Sequence, residues 1–273
     1  MSPRSAPIVM SFPPFTGFVR RIVLANVIAF FALALLTAVA PAVSGALLHH
    51  LALIPGRVLH GEIWQLATYS FLNAGLLNVL LNMLMIWFIG SYLETSLGSR
   101  WVAELYFVAV LGTALTAVAA GYSGIFHLRP DLVFSGVSGA VFGLFIGFAV
   151  LFGEQEMLLF PLPFRIRAKY LAAIYVLVSL YFMIRGDLAN IAALGGMLAA
   201  FLYVKFAPRR GVFFRTSEWY FGLRNAYYRN RRRRAAKKFE VYMGKQGRTD
   251  VHFDKDGKYI DPDKNPKDKN WIN

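Results

Sequence analysis

The sequence predicts an all-α fold, a polytopic membrane protein with six transmembrane helices and a basic cytoplasmic tail. Of its 273 residues, 57 % are hydrophobic and 16 % are charged, and the mean hydropathy is +0.48. An ordinary soluble domain carries about 25 % charged residues. The formal net charge is +14, and residues 207–273 contribute +10 of it. This composition argues against a soluble enzyme and against an intrinsically disordered chain.

The change in composition near residue 207 divides the chain into three predicted parts. Residues 1–21 form an N-terminal cytoplasmic segment, residues 22–206 a membrane domain, and residues 207–273 a basic, partly disordered cytoplasmic tail. Basic residues beside membrane helices mark the cytoplasmic side and contact anionic lipid. We therefore expect the tail to bind anionic lipid, and we favour this interpretation over nucleic-acid binding.

Six apolar stretches account for the predicted membrane helices, because a span needs about 20 apolar residues and slightly fewer beside other helices. They are Ile22–Ala40, Leu76–Leu93, Leu105–Ala120, Val137–Phe152, Ala168–Ile184 and Leu188–Phe206. The first stretch could also be a signal peptide. Its apolar run exceeds the roughly 7–15 residues of a signal-peptide core, so we interpret it as an uncleaved span.

The distribution of basic residues predicts the orientation of these spans. If the N-terminus is cytoplasmic, 26 of the 29 Lys and Arg residues lie on the cytoplasmic side. Only Arg57, Arg129 and Arg185 then lie outside. Because loops rich in Lys and Arg stay inside, the sequence predicts that both termini face the cytoplasm at the cytoplasmic (inner) membrane.

Polar residues occur at similar depth in three of the predicted spans. Asn78 and Asn82 are four residues apart on the second span, and therefore share a helical face. Ser138 lies in the first turn of the fourth span and Asn190 in the first turn of the sixth. Polar side chains inside a membrane are costly and often functional. We expect these groups to lie together just below the outer surface.

Small residues predict that the fourth and sixth spans pack closely. Gly139, Gly143 and Gly147 recur every four residues on the fourth span, and Gly195–Gly196 lies on the sixth. Such a smooth face lets another helix backbone approach. The spacing alone also allows a purely structural interpretation, in which the glycines only pack and Ser138 only caps a helix.

The segment Gly136-Val137-Ser138-Gly139 resembles the Gly-x-Ser-Gly sequence around the nucleophile of rhomboid intramembrane serine proteases. Further segments match that family in order: Thr68–Leu72 and Leu76–Met83 at the entrance to the second span, Leu93–Ser99 at the following turn, and Leu194–Gly196 on the last span. The resemblance covers about residues 20–206. It implies a rhomboid-like bundle of six helices.

The resemblance also implies a Ser/His dyad, an oxyanion site and cleavage of a substrate's transmembrane segment. Ser138 stands at the nucleophile position, where its own amide would help to bind the oxyanion, and Asn82 matches the oxyanion asparagine of the second span. Asn78 and Asn73 stand at positions where the family commonly has histidine. Because a side-chain amide donates hydrogen bonds, Asn78 can still stabilise an oxyanion. Ala193 stands where the general-base histidine belongs.

Ala193 is the departure with the largest consequence, because a methyl group accepts no proton. A serine hydroxyl is a weak nucleophile without an adjacent base, and loss of the histidine in subtilisin lowers the rate by about 10⁶-fold. We therefore predict a catalytically impaired family member that has lost, or nearly lost, proteolysis and binds transmembrane segments of client proteins. The alternative is an active serine endopeptidase in which His127 or Asp187 replaces the missing base.

Two further function classes receive little support from the sequence. A transporter would need charged residues at mid-span or an inverted repeat, and we find neither. No cofactor or metal ion is expected: His49-His50 has no third ligand, and Asp254–Gly257 lacks the closing glutamate of a calcium-binding loop.

Overall fold

The computed structural model describes residues 13–123, 129–158 and 165–206, together with short pieces of the tail between residues 224 and 260. It is mostly helical. The helices are α1 (Gly17–Val39), α2 (Pro41–Leu51), α3 (Pro55–Leu59), α4 (Gln65–Thr68), α5 (Leu76–Leu97), α6 (Ser99–Ser123), α7 (Ser138–Leu151), α8 (Ala168–Ile184) and α9 (Leu188–Phe206). A 3₁₀ helix, Tyr69–Phe71, follows α4.

Two short antiparallel hairpins complete the secondary structure. Strands β1 (Glu156–Leu158) and β2 (Arg165–Arg167) pair between α7 and α8. Strands β3 (His252–Phe253) and β4 (Tyr259–Ile260) pair in the tail. The chain forms two compact units, Met1–Gly211 and Val212–Asn273. The disorder predicted within the tail at residues 261–269 lies outside the described residues.

Each of the six predicted apolar stretches is a helix. Helices α1, α5, α6 and α9 contain 18 or more residues and are apolar enough to cross a membrane. Helices α7 and α8, with 14 and 17 residues, are apolar but shorter. The third stretch begins earlier than predicted, at Ser99, because α6 follows α5 after the single residue Gly98.

Helices α6, α7 and α9 form a central group, here called the inner trio, in which the backbones touch. A Cβ atom added at Gly196 of α9 would lie 3.0 Å from the carbonyl oxygens of both Ala109 and Gly139. A Cβ atom added at Gly143 of α7 would lie 2.3 Å from the Cβ atom of Ala109. The predicted packing of the fourth span on the sixth is therefore confirmed. The participation of α6 was not predicted.

Larger side chains attach the other long helices to this group. Tyr175 of α8 packs its ring 5.3 Å from that of Phe142 and 5.5 Å from that of Phe145. Helix α1 is held at its start by Glu94 of α5, which accepts hydrogen bonds from the amides of Phe18 (2.8 Å) and Val19 (3.0 Å). The carboxylate thereby satisfies amides that a helix start leaves unpaired.

The segment between α1 and α5 folds around a buried glutamine. The Oε1 atom of Gln65 accepts a hydrogen bond from the amide of Ile54 (2.9 Å). Its Nε2 atom donates to the carbonyl oxygen of His50 (3.3 Å) and to Oε2 of Glu62 (2.6 Å). Because Gln65 is fully buried, these bonds hold α2, α3 and α4 as one layer at the Ser138 end of the bundle.

Candidate functional site

Ser138 is the first residue of α7, and the turn that precedes it is fixed by backbone contacts. Leu53 and Phe134 exchange two backbone hydrogen bonds of 2.9 and 2.8 Å. Gly136 has φ +114°, which favours glycine, and its amide donates to the carbonyl oxygen of Tyr69 (3.0 Å). Burial raises the pKa of Tyr69, so its hydroxyl stays protonated and donates to the main chain of α6 (2.8 Å).

A pair of buried asparagines supports the same turn. Asn73 accepts a hydrogen bond from the amide of Val137 (3.1 Å), the residue directly before Ser138. Its Nδ2 atom donates to Oδ1 of Asn26 (2.9 Å), and Nδ2 of Asn26 donates to the carbonyl oxygen of Ile22 (2.9 Å). Asn73 thus positions the start of α7. Asn26 was missed by the sequence analysis, although a strongly polar residue inside an apolar span could have signalled it.

The register between α7 and α9 brings the Ser138 and Ala193 positions to one end of the bundle. Close contacts advance by four residues on both helices: Gly139 with Gly196, Gly143 with Ala200, and Gly147 with Val204. The helices are therefore parallel, and Ser138 is level with Gly195. Ala193 lies two residues earlier, about 3 Å along the helix axis. It is buried, with 3 % of its surface exposed.

The hydroxyl of Ser138 has no hydrogen-bond partner among the described residues, and the side chain is half-buried. The predicted oxyanion residues, Asn78 and Asn82, lie in the first two turns of α5. There Nδ2 of Asn82 donates to Oδ1 of Asn78. Within the described part of the chain, neither asparagine is hydrogen-bonded to Ser138. The structure brings the two asparagines together, and their oxyanion role remains a prediction.

Asp187, one of the two proposed replacement bases, uses both carboxylate oxygens to cap α9. Oδ1 accepts the amide of Ala189 (3.0 Å), and Oδ2 accepts Nδ2 of Asn190 (2.9 Å). Asn190, expected at the depth of Ser138, is therefore part of this cap. The other replacement base, His127, lies outside the described residues. Three histidines with described side chains lie between α1 and α5: His49, His50 and His60.

The described residues contain no group of three His, Asp or Glu side chains suited to a metal ion. They do contain a buried carboxylate that the sequence analysis missed. Glu104 of α6 accepts a hydrogen bond from the hydroxyl of Tyr203 of α9 (2.6 Å). The third apolar stretch was taken to begin at Leu105, so Glu104 was placed outside it. This contact joins α6 to α9 at the end opposite Ser138.

Two recesses lie beside α1. One, of about 460 Å³, is lined by Thr37, Asn73 and Ser135 together with apolar residues of α1 and α2. The other, of about 500 Å³, is an apolar groove between α1 and α5 that contains Phe31 and Leu80. Both volumes fall in the range of about 300–1,000 Å³ found for ligand sites.

The chain matches one family model and several proteins of known name. The model described as "Eukaryotic integral membrane protein (DUF1751)" matches residues 21–212. Rhomboid-like protein 19 of Arabidopsis thaliana is 26 % identical over 168 residues, covering 59 % of this chain and 54 % of that protein. Rhomboid protease GlpG of Serratia proteamaculans is 32 % identical over 146 residues, covering 52 % and 47 %.

A third relative, RHOMBOID-like protein 1 of Arabidopsis thaliana, is 36 % identical over 149 residues. The match covers 52 % of this chain and 33 % of that protein. The chain therefore spans about half the length, or less, of the curated relatives it matches. The names of these relatives agree with the resemblance to the rhomboid family found in the sequence.

Proposed function

This chain belongs to the DUF1751 family of rhomboid-like eukaryotic integral membrane proteins, and we propose that it has lost proteolysis and binds transmembrane segments of client proteins. The observation that carries the proposal is Ala193, a buried methyl group at the position of the rhomboid general base. A hydroxyl without a base attacks peptide bonds poorly. Asp187, one of the two residues considered as a replacement base, uses both carboxylate oxygens to cap α9, which argues against that role.

The proposed topology has six spans: α1, α5, α6, α7, α8 and α9. Helix α7 extends about 21 Å, and most of its residues are buried among other helices, so it needs less apolar length than a lipid-exposed span. Both termini face the cytoplasm at the cytoplasmic membrane, because this orientation keeps 26 of 29 basic residues inside. The basic tail then contacts anionic lipid.

The apolar groove between α1 and α5 supports client binding, because it offers about 500 Å³ to side chains of a helix in the lipid phase. A photo-crosslinking residue at Leu80, in this groove, should capture an added single-span client in proteoliposomes. Leu198 on α9 is a matched control: its exposed fraction is 58 %, against 59 % for Leu80. Equal capture at both positions would argue against a client groove.

Loss of proteolysis is tested with the full chain in proteoliposomes and a generic rhomboid substrate. The unaltered protein should cleave no more substrate than Ser138→Ala, and a fluorophosphonate probe should leave Ser138 unlabelled. Ala193→His should introduce cleavage that the additional Ser138→Ala change abolishes. Ala192→His, one residue away and equally buried, should introduce none.

Cleavage by the unaltered chain that depends on Ser138 would overturn the proposal. It would favour the second candidate, an active serine endopeptidase with a non-standard base. That candidate has in its favour the hydroxyl of Ser138, which is not engaged by any described residue. If Ala193→His folds but cleaves nothing, the site has also lost the geometry of a rhomboid dyad.

A further inference from the structure

A cluster of four ionisable side chains lies in the layer formed by α2, α3 and α4. Nη1 of Arg57 donates to Oε1 of Glu62 (3.3 Å), and the same oxygen lies 3.7 Å from Nδ1 of His50. Nη2 of Arg57 lies 3.3 Å from Nε2 of His49, and Nη1 also reaches the carbonyl oxygen of His49 (3.4 Å). Two exposed histidines of α2 thus flank one Arg–Glu pair, and each contacts a different member of it.

The contact between Arg57 and His49 requires one protonation state of the imidazole. A guanidinium group donates hydrogen bonds and accepts none. Nε2 of His49 therefore has to accept, which requires a neutral ring with its proton on Nδ1. In a protonated ring Nε2 is also a donor, so two cationic donors would face each other at 3.3 Å. Protonation of His49 thus breaks this contact with Arg57.

Protonation of His50 acts on the other member of the pair. The neutral imidazole is only a weak partner of Glu62 at 3.7 Å, whereas the imidazolium forms an ion pair with the same oxygen. His50 then competes with Arg57 for Oε1. The side chain of Glu62 is 22 % exposed, so this competition is screened less than one between fully solvated groups. Both protonations therefore move Glu62 in one direction, away from Arg57 and toward His50.

The other charged groups around this layer do not contact the two histidines in the described part of the chain. Helices α1 and α6, which pack beside the layer, carry charged residues only in their first two turns, at the end that holds Glu94. Arg129 and Asp131 precede α7, and neither forms an ion pair or hydrogen bond with the cluster. His60 is bonded to the carbonyl oxygen of Gly56 in the adjacent turn (2.6 Å).

The carboxylate of Glu62 is also connected to the turn that precedes α7. Its Oε2 atom accepts a hydrogen bond from Nε2 of Gln65 (2.6 Å), and Oε1 of Gln65 accepts the amide of Ile54 (2.9 Å). The preceding residue, Leu53, exchanges two backbone hydrogen bonds with Phe134. A displacement of Glu62 therefore reaches the backbone that leads into α7.

We propose that His49 and His50 form a pH-sensitive switch, which transfers Glu62 from Arg57 to His50 when the compartment facing this layer becomes acidic. Histidine is the side chain that changes charge between about pH 5 and 8. The transfer breaks the link from Arg57 of α3 to α2 and loosens the start of α3. The proposal is independent of proteolysis and of client binding, because it concerns only the layer above the Ser138 site.

Hydrogen exchange at the Ile54 amide, in the full chain in micelles, tests the switch. Its protection factor, which corrects for the effect of pH on exchange itself, should fall about threefold between pH 8 and pH 5, the size expected for one partly exposed ion pair. The double variant His49→Gln/His50→Gln should show no fall, because glutamine does not change charge. His60→Gln is the matched control and should keep the whole fall, because His60 contacts neither Arg57 nor Glu62.

Glu62→Gln separates the transfer from simple titration of the histidines. The fluorine resonance of 5-fluorotryptophan at Trp64, assigned with Trp64→Phe, reports on His50, because Nε1 of Trp64 donates to its carbonyl oxygen (3.0 Å). In Glu62→Gln this resonance should still move with pH, whereas the Ile54 protection factor should stay constant. A constant protection factor in the unaltered protein would overturn the proposal. So would an equal fall in the double variant or in Glu62→Gln, or loss of the fall in His60→Gln.

Discussion

The inner trio and the peripheral helices of this bundle achieve close packing in different ways. In the trio, the helix backbones lie in direct contact: a Cβ atom added at Gly195 of α9 would lie 2.9 Å from the carbonyl oxygen of Gly112 of α6. Helix α8, by contrast, meets the trio through whole aromatic rings such as that of Tyr175. Small residues and close backbones are typical of helix association in lipid. The start of α7 therefore depends on backbone contacts, which cannot adapt to an added atom through a change of side-chain rotamer.

The strongest way to break the trio is to add volume at its centre. Gly196→Val should lower the free energy of unfolding by about 3 kcal/mol or more, because its new atoms meet backbone carbonyl oxygens that cannot move aside. Thermal or denaturant unfolding in micelles measures this. The control is Gly45→Ala in α2, where a Cβ atom meets nothing within 4 Å. That change should be neutral or stabilising, and equal losses in the two variants would contradict the comparison.

An intermediate loss of stability is expected at Asn73, through which α1 supports the start of α7. Asn73→Ala should cost about 2 kcal/mol, because it leaves the Val137 amide and the Oδ1 atom of Asn26 without partners. Hydrogen exchange at the Val137 amide should accelerate. Asn78→Ala, at an exposed position, should change stability by about 0.5 kcal/mol at most. An unchanged exchange rate at Val137 would show that Asn73 does not hold this turn.

The smallest effect is expected at the surface, where an ion pair joins the end of α7 to the start of α8. The hydrogen bond from Lys169 lowers the pKa of the Glu154 carboxyl below its ordinary value of 4.5, and Arg167, 3.0 Å away, also favours the charged form. Because the carboxyl pKa is lowered, the contribution of this ion pair to folding stability is present above pH 4.5. It is lost as the pH falls through the lowered pKa.

Nuclear magnetic resonance of Glu154 in micelles can follow this titration. Lys169→Met should raise the pKa of Glu154 more than Arg167→Gln, because the hydrogen bond from Lys169 is the largest cause of the shift. The reverse order would show that Arg167 is the main partner. Neither variant should alter the inner trio, since both residues lie outside it.

Sequence reasoning identified the six apolar helices and the contact of α7 with α9, because apolar length and a four-residue glycine spacing are local signals. The third member of the trio, α6, was not predicted. Gly112 and Ala109 of α6 form no regular spacing, and their role depends on which helices become neighbours. The hydrogen bond between Asn26 and Asn73 joins residues 47 positions apart, a separation that no local pattern encodes.

The candidate site also has some features that the sequence predicts and others that only the structure shows. The motif around Ser138 and the absence of an imidazole at Ala193 are visible in the sequence, because they depend on residue type alone. The pairing of Asn78 with Asn82, and the use of Asp187 as a helix cap, depend on rotamers and on the course of the chain. The helices α2, α3 and α4 carried no periodic signal strong enough to predict, because each is short.

The attachment of α1 through Glu94 has a consequence for the order in which the protein assembles during synthesis. The carboxylate that receives the Phe18 amide lies 76 residues further along the chain. Helix α1 is synthesised before Glu94, and it therefore lacks this contact until the α5–α6 turn has been made. We expect α1 to remain bound to insertion factors in a nascent chain that is truncated before Glu94. In a longer nascent chain that includes the α5–α6 turn, α1 should dissociate from these factors.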